Sequence, residues 1–152
     1  IVDIFSKIDS YIDLDFMRVD SPSKAMIKIF KTNPWDGNSG LMTEDLSSQK
    51  YRVEIAWSEG QFKYPKLKKY PNLSAESAYI IVHEIAHALG LDHLEKEKKY
   101  GEVINPLNIL INKKDTIMSY NNPPCILPEE DVFFTELDIK ALRTLWGVEK
   151  DN

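Results

Sequence analysis

Histidine is scarce in this chain, cysteine nearly absent, and no apolar run exceeds a few residues. The 152 residues include three histidines and one cysteine. A lone thiol, Cys125, excludes an internal disulfide, so a core must hold the fold together, and it says little about redox compartment. The short apolar runs exclude a membrane-spanning helix. Basic charge is in deficit, 19 Lys and Arg against 24 Asp and Glu, a net charge of −5 that argues against a general nucleic-acid binder. The local lysine groups, "KYPKLKKY" and Lys96, Lys98 and Lys99, read as solvated faces. The opening residues "IVDIFSKIDS" carry two aspartates and no basic stretch, which is not the pattern of a signal peptide. An opening on Ile1 instead of Met leaves a removed leader open. No repeat or low-complexity segment is present. The length and a hydrophobic content of 43% suit a single globular domain with a sizeable core.

Periodicity predicts the elements. Ile1, Phe5, Ile8 and Ile12 recur at helical spacing, predicting a helix over residues 1–12. "DLDFMRVD" and "AMIKIFK", separated by the turn "SPS", read as two strands, "TNPWDGNSG" as a loop, and "GLMTEDL" as a short strand. "YRVEIAW" is the cleanest strand, with Tyr51, Val53, Ile55 and Trp57 on one face. After a polar loop, "SAESAYIIVHEIAHALG" predicts a helix capped by Ser74, with Glu76 in its first turn, that stops at Gly90. Some forty-five residues of weak periodicity follow. A last helix is expected from Thr135, where Thr135 and Asp138 form a capping-box pattern, to Gly147, with Leu137, Ala141, Leu142, Leu145 and Trp146 on one face.

All three histidines fall within "VHEIAHALGLDH", residues 82–93. On a helix, residues four apart share a face, so His83 and His87 can point at one ion. Two imidazole nitrogens suit zinc, at about 2.0–2.1 Å. Glu84 is turned by about 100° from His83 and can flank the ion without binding it, where a carboxylate could take a proton from an activated water. A continuing helix would carry His93 about 9 Å along the axis from His87. Gly90 tolerates positive φ, so the helix can stop there and the chain can bring His93 back as a third ligand. Three protein ligands leave one position open, the arrangement of a catalytic rather than a structural zinc.

These residues, H-E-x-x-H-x-x-G-x-x-H, resemble the metzincin zinc endopeptidases, in which a methionine turn follows. "DTIMSY", residues 115–120, matches that turn, and the resemblance makes Met118 an apolar floor beneath the zinc. "MSY" is similar to the serralysin and astacin branches, which implies that Tyr120 can bind zinc at rest or stabilise the transition state. "PWDGNSGLM" and "HALGLDH" look like the matrixin branch, whose calcium loop would place Asp36 as a ligand of Ca2+; a plain Asp-Gly turn explains the same segment. Matrixins also hold a structural zinc through further histidines, and here none remain. Members usually carry a strand before the first helix, so a trimmed or longer natural chain is expected.

The resemblance implies an α+β fold: a mixed twisted sheet with two helices in the N-terminal part, a zinc cleft, and a loop-rich C-terminal part ending in a helix. Residues 1–152 would form one domain, 1–93 the upper part and 94–152 the lower. The expected activity is zinc-dependent hydrolysis of peptide bonds in protein or peptide substrates, with Glu84 as general base. The rival is a non-catalytic, zinc-stabilised peptide-binding module. A monomer without membrane span or nucleic-acid partner is expected, and secretion is implied by the resemblance alone.

Overall fold

The structure is a computed structural model that describes residues 1–33, 40–44, 51–58, 66–93, 96–97, 103–104, 115–119 and 132–150. The described residues form a small α+β fold of three helices, a three-stranded mixed sheet and a separate antiparallel pair of two-residue strands. The elements in chain order are α1 (Val2–Asp9), β1 (Ile27–Lys31), β2 (Gly40–Glu44), β3 (Val53–Trp57), α2 (Ala75–Ala88), β4 (Lys96–Glu97), β5 (Val103–Ile104) and α3 (Glu136–Trp146). Among the described residues, no helix is long and apolar enough to cross a membrane.

β3 lies in the middle of the sheet, parallel to β1 and antiparallel to β2. Its alternation decides its orientation. Val53, Ile55 and Trp57 are buried, whereas Glu54 and Ala56 are partly exposed. Tyr51, expected on the same strand face as Val53, Ile55 and Trp57, precedes the strand and is half exposed. α2 packs across β2 and β3 and buries most of its residues, which accounts for the near-continuous apolar run "AYIIV". Its start is fixed as expected: the Ser74 hydroxyl accepts from Ser77 N–H at 3.1 Å.

Three expectations need correction. Residues 13–20 do not pair into the sheet. Their alternation is real, with Leu14 and Phe16 turned towards the core and Met17 out in solvent. Phe16 N–H, however, donates to Asp9 Oδ1 at 3.0 Å, and the Phe16 ring lies 5.1 Å from that of Phe5. Alternation reports which side faces protein, not whether another strand lies alongside. The buried face of α3 is also rotated from the one expected. Asp138, Ile139 and Leu142 are buried, while Leu137, Leu145 and Trp146 are about half exposed. The reason is polar: Asp138 is needed inside, as described below. α1 ends at Asp9, short of Ile12, but Ile12 is still fully buried and forms a bridge to Val148 beyond α3.

β2 lies against α2 because residue 40 has no side chain. A Cβ there would stand 2.4 Å from Ile80 Cγ2 and 2.7 Å from Glu84 Oε1. Gly40→Ala is therefore expected to destabilise the protein by about 1–3 kcal/mol through overpacking. Urea unfolding measures this directly, and an unchanged midpoint would mean that β2 does not sit as closely on α2.

Candidate metal centre

The three imidazoles converge. His83 Nε2 lies 2.9 Å from His93 Nε2, and His87 Nε2 lies 3.1 Å from the same atom. The three rings also pack on one another, with His87 edge-on to both neighbours and His93 stacked over His83 at 5.0 Å. His83 and His87 are one helical turn apart on α2, as their spacing requires. His93 reaches them because the helix stops where the glycine allows it: Gly90 has φ +93°. Leu91 N–H returns to Ala86 O at 3.0 Å and Gly90 N–H to His87 O at 2.9 Å. This crossed pair is the Schellman ending of a helix.

The tautomers follow from the partners. His83 Nδ1 lies 2.8 Å from Ile117 O, and His87 Nδ1 lies 2.9 Å from Leu91 O. A carbonyl oxygen can only accept, so Nδ1 carries the hydrogen on both rings. Both Nε2 atoms then direct lone pairs at a third nitrogen. Neutral His93 has at most one Nε2 hydrogen with which to satisfy two lone pairs. A cation at the centre satisfies them all. Tetrahedral bonds of 2.0–2.1 Å would space the nitrogens at about 3.3 Å, so small outward movements suffice. The three histidines can hold a metal ion, and their donor atoms all lie within 4.8 Å of one another.

Ile117 belongs to the expected methionine turn. Met118 is buried in the main core and Ser119 N–H closes the turn on Thr116 O at 3.3 Å. Ile117 O accepts from Tyr79 as well as from His83; Tyr79 lies one turn before His83 and stacks on its ring at 6.1 Å. The turn is held from the other side by Asp138 of α3. Its Oδ2 accepts from Ile117 N–H at 3.0 Å and Thr135 N–H at 2.8 Å, and its Oδ1 accepts from the Thr116 hydroxyl. Asp138 thus caps its own helix and orients the carbonyl that orients His83. Reasoning from sequence recognised the cap but missed the second role, because nothing local links residue 138 to residue 117. Tyr79 did carry a signal, its i, i+4 relation to His83.

Glu84 follows His83 on α2, lies against β2 with its Oε1 2.7 Å from where a Cβ on Gly40 would stand, and is 8% exposed. Burial raises its carboxyl from 4.5 to about 7, while a hydrogen bond from the Met42 backbone N–H pulls the other way. Asp36, Tyr120 and Cys125 lie outside the described residues. Comparison of the chain with protein-family models, curated proteins and solved structures gives no match.

Burial of Glu84 has a measurable consequence for stability. The folded carboxyl binds its proton more tightly than the unfolded one. The stability from that proton is therefore full below pH 4.5 and is lost as pH rises through about 7. Glutamine is neutral throughout. Metal-free Glu84→Gln should match the native chain near pH 4 and exceed it at pH 8 by on the order of 3 kcal/mol. Urea midpoints at the two pH values in the presence of a chelator test this, and equal gains at both would contradict it.

Proposed function

We propose that the chain is a zinc-dependent endopeptidase of metzincin type. The observation that carries this reading is the meeting of three Nε2 atoms, two with their tautomers fixed by carbonyl acceptors, beside a buried glutamate on the same helix. His83, His87 and His93 would hold the zinc, which supplies Lewis acidity by bringing the pKa of water towards 7 and polarising a carbonyl.

The remaining chemistry belongs to the chain. Glu84 takes a proton from the attacking water as the new C–O bond forms. It gives that proton to the nitrogen of the departing amine as the C–N bond breaks. A carboxyl raised by burial suits both steps, because its proton affinity is poised near neutrality. Gly40 keeps the edge strand β2 against Glu84, so an extended peptide pairing with β2 by strand addition would pass the general base. Met118 is proposed as the apolar floor, and Tyr120 as a hydrogen-bond donor to the developing oxyanion. The segment "SYNNPPCIL" would shape the pocket for the residue after the cut, with an apolar preference. Calcium at Asp36, secretion and a monomeric state complete the proposal.

A buried, ionisable Glu84 is a poor fit to a site that only stabilises, because a charge-bearing group removed from water costs stability. Cleavage of casein by the native chain and by Glu84→Ala, each loaded with one zinc, decides between the two readings. The native chain is expected to cut and the variant to lose at least about a hundredfold in rate. If neither cuts while both retain zinc, the binding-module reading takes over. Activity should also fall on acidification. Glu84 must be ionised to accept a proton and the imidazoles neutral to bind the ion, so the midpoint should lie between 4.5 and about 7. A flat profile from pH 7 to pH 5 would count against both roles.

A further inference from the structure

The end of α2 allows a complete accounting of its carbonyls. Ile85 O accepts from Leu89 N–H, Ala86 O from Leu91 N–H, and His87 O from Gly90 N–H. The carbonyls of Ala88 and Leu89 remain, and two aromatic side chains from distant parts of the chain serve them. Tyr51 Oη donates to Ala88 O at 2.6 Å, and Trp146 Nε1 donates to Leu89 O at 2.7 Å. Tyr51 stands just before β3 and Trp146 is the last residue of α3. Leu145, next to Trp146, covers the turn itself, with its Cδ1 3.5 Å from where a Cβ on Gly90 would lie.

We infer that Tyr51 and Trp146 are positioning residues of the metal centre, fixing the exit turn of α2 and thereby the reach of His93 to His83 and His87. The inference rests on the metal-binding reading of the three histidines. Only Leu91 and Asp92 separate Gly90 from His93, so any tilt of the turn is passed on to the imidazole. Within the segment, His93 N–H is bonded to the Asp92 carboxylate at 2.8 Å. Leu91 is bonded through its N–H to Ala86 O at 3.0 Å and through its carbonyl to His87 Nδ1 at 2.9 Å, contacts that tie the segment to the end of α2 and move with that end. The aromatic donors hold the Ala88 and Leu89 carbonyls from β3 and α3, outside that segment. Without them the carbonyls turn to water, His93 spends part of its time away from the other two rings, and apparent affinity falls by that fraction. Both side chains are about half exposed, which agrees with a role in their polar ends more than in core packing.

Tyr51→Phe and Trp146→Phe keep an aromatic ring and remove the donor. Zinc affinity is measured by competition with a chromophoric chelator, in the native chain and in a His93→Ala background. Each substitution should weaken binding about fivefold to tenfold in the native chain, the loss of one hydrogen bond, and less than about twofold when His93 is absent. Equal losses in both backgrounds, or no loss in the native chain, would overturn the inference. A second readout needs no metal: the nuclear Overhauser effect between the His83 and His93 rings, which stack at 5.0 Å. It should be present in the zinc-free native chain and weakened in the double variant. An effect that survives both substitutions refutes the positioning role. A native chain that takes up no zinc, yet loses the effect in the double variant, refutes the zinc reading and leaves the positioning role standing.

Discussion

Two protons organise this molecule, those on Nδ1 of His83 and His87. Each is committed to a backbone carbonyl, Ile117 O for one ring and Leu91 O for the other. Once those bonds are made, both Nε2 lone pairs face inward, where His93 meets them. An imidazole free to rotate or to change tautomer would offer such a lone pair only part of the time. The placement of the turn at 115–119 and of the exit turn after α2 follows from the need to put those two carbonyls where they are.

α3 serves both turns. Near its start, Asp138 receives Ile117 N–H and the Thr116 hydroxyl, while closing its own capping box with Thr135. At its end, Trp146 reaches Leu89 O. Further ties run from Arg143 to Tyr11 O at 2.9 Å and from Asp13 N–H to Gly147 O at 3.4 Å, joining the helix to the segment after α1. A short helix with three of its five large apolar side chains about half exposed is thus placed mainly by polar bonds at both ends. Its orientation is set by a buried carboxylate whose oxygens accept several donors, and not by its apolar stripe.

Glu84 shows the opposite use of burial. Asp138 is surrounded by donors, so its carboxylate is solvated by protein. Glu84 is penned between α2 and the start of β2, where the Met42 N–H only partly replaces the water it has lost. Its proton affinity rises in consequence, and the folded chain carries a cost in stability at neutral pH. Such a cost would suit the proton-exchanging role proposed for Glu84, and Gly40 is what allows the strand to come close enough to impose it.

Much of the site was legible in the sequence because its logic is local. The i, i+4 spacing of His83 and His87, the glycine that ends their helix and the Ser74 and Thr135 caps each depend on a few neighbouring residues, and the structure bears them out. The strands β1 and β3 could be read from alternation and β2 as a short strand, but residues 13–20, also read as a strand, do not pair, since pairing depends on a partner supplied by the rest of the chain. The buried face of α3 was misjudged for a related reason: apolar spacing carried no word of the turn that Asp138 has to hold. Nor could sequence show that Tyr51 and Trp146 end on adjacent carbonyls of α2, 37 and 57 residues away. Sequence by itself determined which residues can offer ligands and where the helices begin and stop, because backbone sterics and capping are short-range. Tertiary structure decided which carbonyls take the histidine protons and which carboxyl is deprived of water, because those depend on surfaces brought together only when the chain folds.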